Sequence, residues 1–334
     1  MKHERVLIIA EAGVNHNGDV ELAKKLCLAA KDAGADVVKF QTWITDRIIT
    51  KTVEQAGYQI ENTGNCQSQY DMLKKLELSF ADFKRIKAYC DEIGIVFAST
   101  ADEIESLDFL LELGIPFIKL GSGEIGNIPY LRYVGSQKSR VILSTGMSTL
   151  GDIETSLQAL KDGGANEIVL LHCTTNYPCP FDSVNLKAMD TLRNAFGLEV
   201  GYSDHTEGIE VAVAAVARGA KVIEKHFTLD KNMEGPDHKA STEPDEFKAM
   251  VDAIRHIEVA LGSGLKQPTA NEQEISKVVL KRIVAKKDIQ AGNIITENDI
   301  CVKRNDVGLS ASNWDVVIGS VAHKDYHVDE GIEL

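Results

Sequence analysis

The sequence lacks any apolar run long enough to cross a membrane, and it lacks closely spaced cysteine pairs. Near the amino terminus, the run Val6–Ala10 meets Glu11 at once, so it is too short to be a signal-peptide core. Cysteines occur at positions 27, 66, 90, 173, 179 and 301, with no C-x-x-C pair and no zinc-finger spacing. These absences predict a reduced, cytoplasmic protein without a structural zinc site.

Basic residues are scarce relative to acidic ones. The chain has 36 Lys and Arg against 50 Asp and Glu, which gives a net charge of −14. This balance argues against nucleic acid and anionic membrane surfaces as partners, although a local basic pocket can still bind a small anion. The 334 residues, 44% of them hydrophobic, are enough for one large domain and a small one.

Short, nearly all-apolar runs alternate with amphipathic segments as far as Leu261. The runs are Val6–Ala10, Asp36–Phe40, Ile95–Ala98, Pro116–Leu120, Arg140–Leu143, Glu167–Leu171, Leu198–Gly201 and Lys221–Ile223. Each is typical of a strand buried on both faces, and several intervening helical segments end at a glycine. The count and the length favour a (β/α)₈ (TIM) barrel, with a doubly wound open sheet as the alternative.

Two further features of the chain bear on its organisation. A long polar connection, Gln41–Gln67, follows the second run, at the end of a barrel strand where active sites form, and its length indicates a functional role. After Gly262 the composition becomes polar and then β-rich. We therefore expect a catalytic barrel over 1–265, a linker over 266–278 and a small β-rich domain over 279–334.

Polar side chains gather where the predicted strands end. His205 and His226 follow the seventh and eighth runs, so a barrel places both imidazoles at one mouth. Imidazoles are good ligands for Mn²⁺, Zn²⁺ or Fe²⁺, although two unrelated polar residues at strand ends would give the same spacing. Asp204 and Glu224 are expected to alternate to the other strand face.

Lys39 and Lys119 lie inside nearly apolar runs. A buried ammonium group needs an anionic partner, so the two lysines predict an anion site. Hydroxyl residues that could complete a phosphate or carboxylate cradle are Thr100, Ser122 and Ser144. Salt bridges to neighbouring glutamates, or a Schiff-base lysine, are the alternatives. Glu11 is a candidate metal ligand or general base, or else the ion-pair partner of a strand lysine.

The segment Gly121–Gly126 matches G-x-G-x-x-G, the fingerprint of dinucleotide-binding turns. It opens the fourth unit rather than the first, and the next strand ends in Ser144-Thr145 where an acidic residue would be expected. Nicotinamide binding is therefore disfavoured. A metal, an anion cradle and one carboxylate together point to a reaction between a phosphorylated acid and a carbonyl compound.

A series of motifs resembles the sialic acid synthase family, which includes bacterial N-acetylneuraminate and N,N'-diacetyllegionaminate synthases. The motifs are I-I-A-E-A-G-V-N-H-N-G, V-V-K-F-Q-T, K-L-G-S-G-E, I-L-S-T-G-M, L-L-H-C-T-T-N-Y-P, G-Y-S-D-H-T, V-I-E-K-H-F-T-L-D and G-P-D-H-K-A-S. They cover nearly the whole barrel in order. The segments A-K-K-D-I-Q-A-G and V-K-R resemble the antifreeze-like (SAF) domain of that family.

The resemblance implies condensation of phosphoenolpyruvate with an open-chain N-acylated mannosamine, with release of phosphate. The sugar would be N-acetylmannosamine or its 2,4-diacetamido-2,4,6-trideoxy analogue. By the family pattern, His205 and His226 hold a divalent metal, with Mn²⁺ expected and Mg²⁺ or Co²⁺ as alternatives, and Glu11 handles the water or hydroxyl proton. Residues implied to bind phosphoenolpyruvate are Lys39, Thr100, Lys119, Ser122 and Ser144, with Lys119 also counted as catalytic. Residues implied to bind the sugar are Gln41, Glu124, Tyr177 and Asp237.

The family pattern also implies a domain-swapped homodimer, in which Arg304 reaches the site of the partner subunit. The chain departs from the pattern here, because Asn305 replaces a proline and leaves the Arg304 loop less rigid. A second departure places Ala101-Asp102 where the family has P-F, which changes the shape and charge of a pocket wall. The identity of the sugar stays open, with Trp43 either an apolar patch for a deoxy sugar or a packing residue.

Two other functions remain open at the level of the sequence. One is a Schiff-base pyruvate aldolase that uses Lys119 or Lys39 as the amine nucleophile. The other is a non-catalytic carbohydrate-binding protein, in which the C-terminal domain is a surface-binding module on a barrel scaffold.

Overall fold

The structure is a computed structural model that describes residues 5–55 and 68–334. It divides into two compact units, Met1–Gly262 and Ser263–Leu334. Cys66 and part of the connection Gln41–Gln67 lie outside the described residues. No helix among those described is long and apolar enough to span a membrane.

The first unit is a closed barrel of parallel strands, so the barrel prediction is confirmed and the open sheet is wrong. The strands, in barrel order, are β1 Leu7–Gly13, β2 Val37–Thr42, β3 Val96–Ala101, β4 Ile118–Leu120, β5 Val141–Ser144, β6 Ile168–Cys173, β7 Glu199–Asp204 and β8 Val222–His226. The barrel closes because β1 pairs with both β2 and β8.

Helices alternate with these strands, as the amphipathic segments predict. They are α1 Val20–Asp32, α2 Thr45–Ile48, α3 Gln69–Leu76, α4 Phe80–Ile93, α5 Ile104–Leu113, α6 Ile128–Ser136, α7 Leu150–Gly163, α8 Ala188–Phe196, α9 Glu210–Ala217 and α10 Pro244–Ala260. Helices α4 and α5 end at Gly94 and Gly114, whose φ angles of 77° and 83° suit glycine. The prediction of glycine stops is confirmed at these two ends.

The strands extend further toward their C-terminal ends than the apolar runs predict. β1 ends at Gly13 rather than Ala10, β7 at Asp204 rather than Gly201, and β8 at His226 rather than Ile223. The backbone ladder continues past the apolar residues because polar side chains at the barrel mouth do not interrupt main-chain pairing. Consequently Glu11 and Thr100 belong to strands rather than to the loops after them.

An apolar layer lies directly beneath the polar mouth of the barrel. Its buried members are Ile9, Val37, Ala98, Phe117, Ile142, Val169, Leu171 and Val222. Several of them precede a polar strand residue by two positions, as Ile9 precedes Glu11 and Val222 precedes Glu224. Alternate strand residues share a face, so the apolar layer and the polar layer both point into the barrel.

The second unit is small and contains a two-stranded antiparallel sheet. Its elements are α11 Ala270–Val279, β9 Lys281–Ala285, β10 Ile300–Arg304 and α12 Trp314–Val317. Ile283, Ile295 and Tyr326 are among the residues of its own apolar core. Helix α11, which begins with a capping box between Thr269 and Glu272, lies in the segment expected to be a linker. The domain boundaries given above stay predictions.

Candidate active site

An open cavity of about 620 Å³ lies at the mouth of the barrel, where the strand C-terminal ends meet. Residues predicted from the sequence that line it are Glu11, Lys39, Gln41, Thr100, Lys119, Ser122, Ser144, Tyr177, His205 and His226. The fold thus brings together residues spread over most of the first unit. The strand register brings several of these residues together, because Glu11 is aligned with both Lys39 and His226, and Thr100 is aligned with Lys119.

Lys39 is held by acidic and hydroxyl partners within the cavity. Its Nζ atom lies 2.5 Å from Glu11 Oε2 and 3.7 Å from Glu224 Oε2, and it donates to Thr100 Oγ1 at 3.0 Å. Burial opposes the charge of this ammonium, but Glu11 and Glu224 raise the pKa of Lys39 above its usual value. Lys39 is therefore a buried cation at the floor of the cavity.

Lys119 makes the corresponding contacts on the other side of Glu224. Its Nζ atom donates to Ser144 Oγ at 2.8 Å and to Leu120 O at 3.0 Å, and it lies 3.3 Å from Glu224 Oε1. Burial lowers the pKa of Lys119, although Glu224 acts in the opposite direction. The salt-bridge alternative is thus observed at both lysines, and the anion site stays a prediction.

Glu224 joins the two lysines, and sequence reasoning placed it wrongly on the opposite face. It lies two residues before His226, so both side chains point into the barrel. Ser203 Oγ also donates to Glu224 Oε1 at 3.0 Å. Burial raises the pKa of this carboxyl, but Lys119 and Lys39 outweigh burial and lower it to about 2. The spacing of two residues was the signal that could have identified Glu224.

Asp204 does leave the cavity, as expected for a residue one position from His205. Its Oδ2 atom accepts from Lys225 Nζ at 2.7 Å, and the same ammonium donates to Thr206 O at 2.7 Å. Asp204 and Lys225 are both buried and do not line the mouth cavity. This pair is a structural counterpart of the Glu224 cluster on the other side of the strands.

Glu11 combines two of the roles left open by the sequence. It pairs with Lys39 and also accepts from Gln41 Nε2 at 3.0 Å through Oε1. Burial raises the pKa of Glu11 to about 7, even though Lys39 and the Gln41 amide favour the ionised form. A carboxyl with a pKa near neutrality can accept or return a proton under ordinary conditions.

The two histidines lie side by side, with ring centroids 5.4 Å apart. Tyr177 packs against both, at 4.1 Å from His205 and 5.5 Å from His226. His205 Nδ1 lies 2.7 Å from Thr174 O, and because a carbonyl only accepts, Nδ1 carries the proton. In the neutral ring, the Nε2 atom of His205 then keeps its lone pair, the arrangement typical of metal-binding histidines.

His226 also has unused bonding capacity. Its Nδ1 atom is buried without a hydrogen-bond partner among the described residues, and Asp237 Oδ2 lies 4.0 Å away. Within residues 5–55 and 68–334, no group of three or more His, Cys, Asp and Glu side chains is arranged to hold a metal. An ion held by this histidine pair would need its remaining ligands from water or substrate.

The remaining predicted site residues occupy different places. Glu124 lies on a single 3₁₀ turn, Ser122–Glu124, and accepts from Asn127 Nδ2 at 2.7 Å. Burial raises the pKa of Asp237 to about 6. Arg304 is the last residue of β10 in the second unit and is exposed. The G-x-G-x-x-G segment forms the 3₁₀ turn and stops before α6, so it does not open a helix directly.

Trp43 is a packing residue and does not supply an apolar patch to the cavity. It is 3% exposed, packs with Val14, Met72 and Leu76, and donates from Nε1 to Thr45 Oγ1 at 3.1 Å. Asp102, expected to change a pocket wall, lines the cavity. Side chains of the wall that sequence reasoning did not assign to the site include Met147, Cys173 and Ser203.

Fold and site together define a (β/α)₈-barrel enzyme whose mouth is lined by two lysines and two histidines. The chain matches the NeuB family over residues 26–266 and the SAF domain over residues 282–333. The chain belongs to the NeuB family.

Among its relatives, the N,N'-diacetyllegionaminic acid synthase of Campylobacter jejuni is 50% identical over 98% of each chain. The enzyme of the same name from Legionella pneumophila is 48% identical over 94% of this chain and 89% of its own. A solved structure of N-acetylneuraminic acid (sialic acid) synthetase from Leptospira borgpetersenii, in complex with citrate, is 35% identical. It superimposes with a TM-score of 0.71 over 81% of this chain and 90% of its own.

Proposed function

We propose that the chain is a synthase that condenses phosphoenolpyruvate with an open-chain N-acylated mannosamine, giving a sialic-type acid and phosphate. The observation that carries this proposal is the cavity itself, where two buried lysines lie beside a histidine pair and a carboxyl with a pKa near 7. Two relatives are named N,N'-diacetyllegionaminic acid synthases, which favours the 2,4-diacetamido-2,4,6-trideoxy sugar over N-acetylmannosamine.

Phosphoenolpyruvate would replace the glutamate carboxylates as the anionic partner of Lys39 and Lys119. Its phosphate and carboxylate bind Lys39 and Lys119, and hydroxyl groups that then donate to them are Thr100, Ser122 and Ser144. Substrate binding breaks the close contact between Lys39 and Glu11, which leaves the Glu11 carboxyl available for proton transfer. Glu224 remains below the substrate, where its negative charge can stabilise positive charge developing on the substrate.

The condensation balances without an oxidant or reductant. Carbon C3 of phosphoenolpyruvate attacks the aldehyde carbon of the sugar, and the aldehyde oxygen takes up a proton to become a hydroxyl. Water adds at C2 and passes a proton to Glu11. The bond between C2 and the phosphate oxygen then breaks, the C2 hydroxyl gives its proton to the departing phosphate, and C2 becomes the ketone carbon of the product.

His205 and His226 would hold a divalent metal, for which Mn²⁺ is the proposed ion and Mg²⁺ or Co²⁺ the alternatives. When bound, such an ion would polarise the sugar aldehyde as a Lewis acid. Tyr177 lies against both imidazoles and, with Gln41, would orient the sugar beside them. Glu124 and Asp237 are proposed to contact sugar hydroxyl or amide groups near the same wall.

A direct assay tests the function. The protein is incubated with phosphoenolpyruvate, Mn²⁺ and a panel of N-acyl mannosamines, and both phosphate release and product mass are measured. The proposal expects phosphate release in equal amount to a new acid whose mass equals sugar plus pyruvate. Phosphate release without a new acid, or no release with any sugar, would reject it.

A Schiff-base pyruvate aldolase is the second candidate, because burial lowers the pKa of Lys119 and so favours a neutral amine. Against it, Lys119 Nζ is engaged by Leu120 O, Ser144 Oγ and Glu224 Oε1. Borohydride added with pyruvate separates the two functions. An aldolase gains the mass of a reduced pyruvyl adduct, whereas the proposed synthase stays unmodified.

The assembly and the location of the protein also belong to this proposal. We propose a domain-swapped homodimer, in which Arg304 completes the site of the partner subunit by binding the sugar, and a cytoplasmic location where phosphoenolpyruvate is available. The acidic net charge of −14 supports a small-molecule function over nucleic acid binding.

A further inference from the structure

Asp102 lies where the mouth cavity meets a second, outer cavity. It follows the last residue of β3, Ala101, and it lines both spaces. The outer cavity, of about 1040 Å³, is open to solvent and is formed by the first turns of α5 and α6. A substituent that passes Asp102 from the mouth cavity would enter this outer space.

The Asp102 carboxyl has no hydrogen-bond donor within the described part of the chain, and it forms no ion pair there. Its backbone N–H is satisfied by Thr42 O at 3.3 Å, which fixes the residue at the end of the strand. Burial, aided by the charge of Glu124, raises the pKa of Asp102 to about 7. The residue borders both open cavities, so its carboxyl oxygens can accept a hydrogen bond from an N–H group of a ligand.

The outer cavity offers surfaces suited to the rest of an acylamino group. Ile104 is 45% exposed and, with Pro129 and the ring of Tyr130, gives it an apolar wall. The Tyr130 hydroxyl donates to Ala101 O at 2.7 Å, which holds this wall against the end of β3. Arg47 places a guanidinium at the edge of the outer cavity, where its Nη2 atom lies 3.6 Å from Glu105 Oε2. A secondary amide presents a donor N–H, an acceptor carbonyl and a methyl group, and each meets a matching surface here.

We propose that the outer cavity beside Asp102 is the subsite for the second acylamino group of a bis-acetamido sugar, with the Asp102 carboxylate accepting its N–H. This inference rests on the proposed function and adds a residue that determines which sugar is used. A hydroxyl at the same sugar carbon would also donate to Asp102, but it would leave the space lined by Ile104 and Pro129 empty. The acetyl group of the amide fills that space, so the bis-acetamido sugar gains contacts that N-acetylmannosamine does not make.

Filling the outer cavity tests the subsite. Ile104→Trp places a large ring at the first residue of α5, where the side chain is 45% exposed and the fold tolerates a change. Leu150→Trp is the matched control, because Leu150 is the first residue of α7, is 44% exposed, and lines a different cavity. The measured quantity is the ratio of kcat/KM for the bis-acetamido sugar to kcat/KM for N-acetylmannosamine.

The proposal expects Ile104→Trp to lower this ratio by about tenfold or more, since a change of one methylene in an apolar pocket already discriminates by about 10- to 200-fold. Leu150→Trp should leave the ratio within about twofold. An unchanged ratio in Ile104→Trp overturns the proposal, and so does a fall confined to Leu150→Trp, which would place the substituent in the other cavity.

Asp102→Asn and Asp102→Ala provide a second test that does not depend on added bulk. Both should lower the same ratio, with alanine the more damaging because asparagine keeps one acceptor oxygen. Equal losses for the two sugars would overturn the role of Asp102. Dissociation constants of both sugars, measured by equilibrium dialysis, give the ratio independently of turnover. A wild-type protein that binds the sugars but releases no phosphate would therefore reject the proposed function while the dialysis ratio still decides the subsite.

Discussion

Replacing Glu224 with glutamine removes a buried negative charge while keeping the size of the side chain. In the folded protein, this carboxylate lies 3.3 Å from Lys119 Nζ and 3.7 Å from Lys39 Nζ. Glutamine can still accept the hydrogen bond from Ser203, so the substitution chiefly leaves two ammonium groups sharing one fewer carboxylate. We expect the barrel to lose stability at neutral pH and to become more responsive to added anions.

The expected decrease in the free energy of unfolding follows from the pKa of Glu224, which is lowered from its ordinary value of 4.5 to about 2. Since each tenfold change in an acid constant corresponds to about 1.4 kcal/mol, the ionised carboxylate contributes about 3 kcal/mol. That value lies in the range of roughly 3–5 kcal/mol for breaking a buried ion pair. Glutamine resembles the protonated carboxyl, so the free energy of unfolding should fall by about this amount.

The pH dependence has a definite direction. Because the folded pKa lies below the unfolded one, the contribution of Glu224 is complete above about pH 4.5 and is lost as the pH falls toward 2. The gap in unfolding free energy between wild type and Glu224→Gln should therefore narrow as the pH falls below about 4.5.

Urea unfolding followed by tryptophan fluorescence measures this gap. Trp43 is buried in the barrel unit and Trp314 lies in the second unit, so a Trp314→Phe background makes the signal specific to the barrel. Asp204→Asn is the control, because it breaks a buried pair with Lys225 outside the mouth cavity. Inorganic phosphate should stabilise Glu224→Gln more than wild type, by about 1 kcal/mol or more, and should not restore Asp204→Asn. A loss below about 1 kcal/mol in Glu224→Gln, or an equal response of both variants to phosphate, would refute the reasoning.

Three further predictions concern the metal, the anion site and the dimer. Chelation with EDTA should abolish phosphate release, and added Mn²⁺ should restore it. His205→Asn should weaken Mn²⁺ binding, measured by electron paramagnetic resonance, by about tenfold or more. Full turnover after chelation would contradict the metal prediction. Lys119→Met should raise KM for phosphoenolpyruvate by about tenfold or more and Lys119→Arg by less, because arginine keeps the charge; equal KM values in both variants would count against an anion contact. If Arg304 serves the partner's site, mixing inactive Glu11→Gln and Arg304→Ala proteins in equal amounts should restore activity after subunit exchange. The recovered activity should be about a quarter of that of the wild type. No recovery would indicate that each subunit uses its own arginine.

The barrel was predictable from the sequence because its strands are buried on both faces. Such strands read as short apolar runs, and repeated alternation with amphipathic helices leaves few architectures. The residues at the ends of those runs were predictable for the same reason, since a barrel gathers them at one mouth. This logic located Glu11, Lys39, Lys119, His205 and His226 before their distances were known.

Features that depend on the exact path of the backbone were less predictable. The apolar runs end before the strands do, because polar residues interrupt the runs but not the main-chain pairing. That pairing continues to Asp204 in β7 and His226 in β8. Glu224 was placed on the wrong face, although its spacing of two residues from His226 already indicated a shared one. The pairing of Glu224 with both lysines depends on contacts across the barrel, which sequence spacing does not encode.

The outer cavity beside Asp102 shows a different limit. The sequence indicates that Asp102 changes a pocket wall, but the cavity is formed by the first turns of α5 and α6, which are distant in sequence from most mouth residues. Loops and helix starts vary in position while the strands stay fixed, so they shape substrate choice without leaving a periodic signal.

The central claim is that a phosphoenolpyruvate bound at Lys39 and Lys119 is joined to a sugar with loss of phosphate by cleavage of the carbon–oxygen bond. Phosphoenolpyruvate labelled with ¹⁸O at the oxygen that bridges C2 and phosphorus tests this most directly, in a reaction with Mn²⁺ and the bis-acetamido sugar. Mass spectrometry follows the label in both products. The account predicts that the label leaves with inorganic phosphate while a nine-carbon acid forms in equal amount. Label retained at C2 of the acid, or phosphate released without that acid, would contradict it.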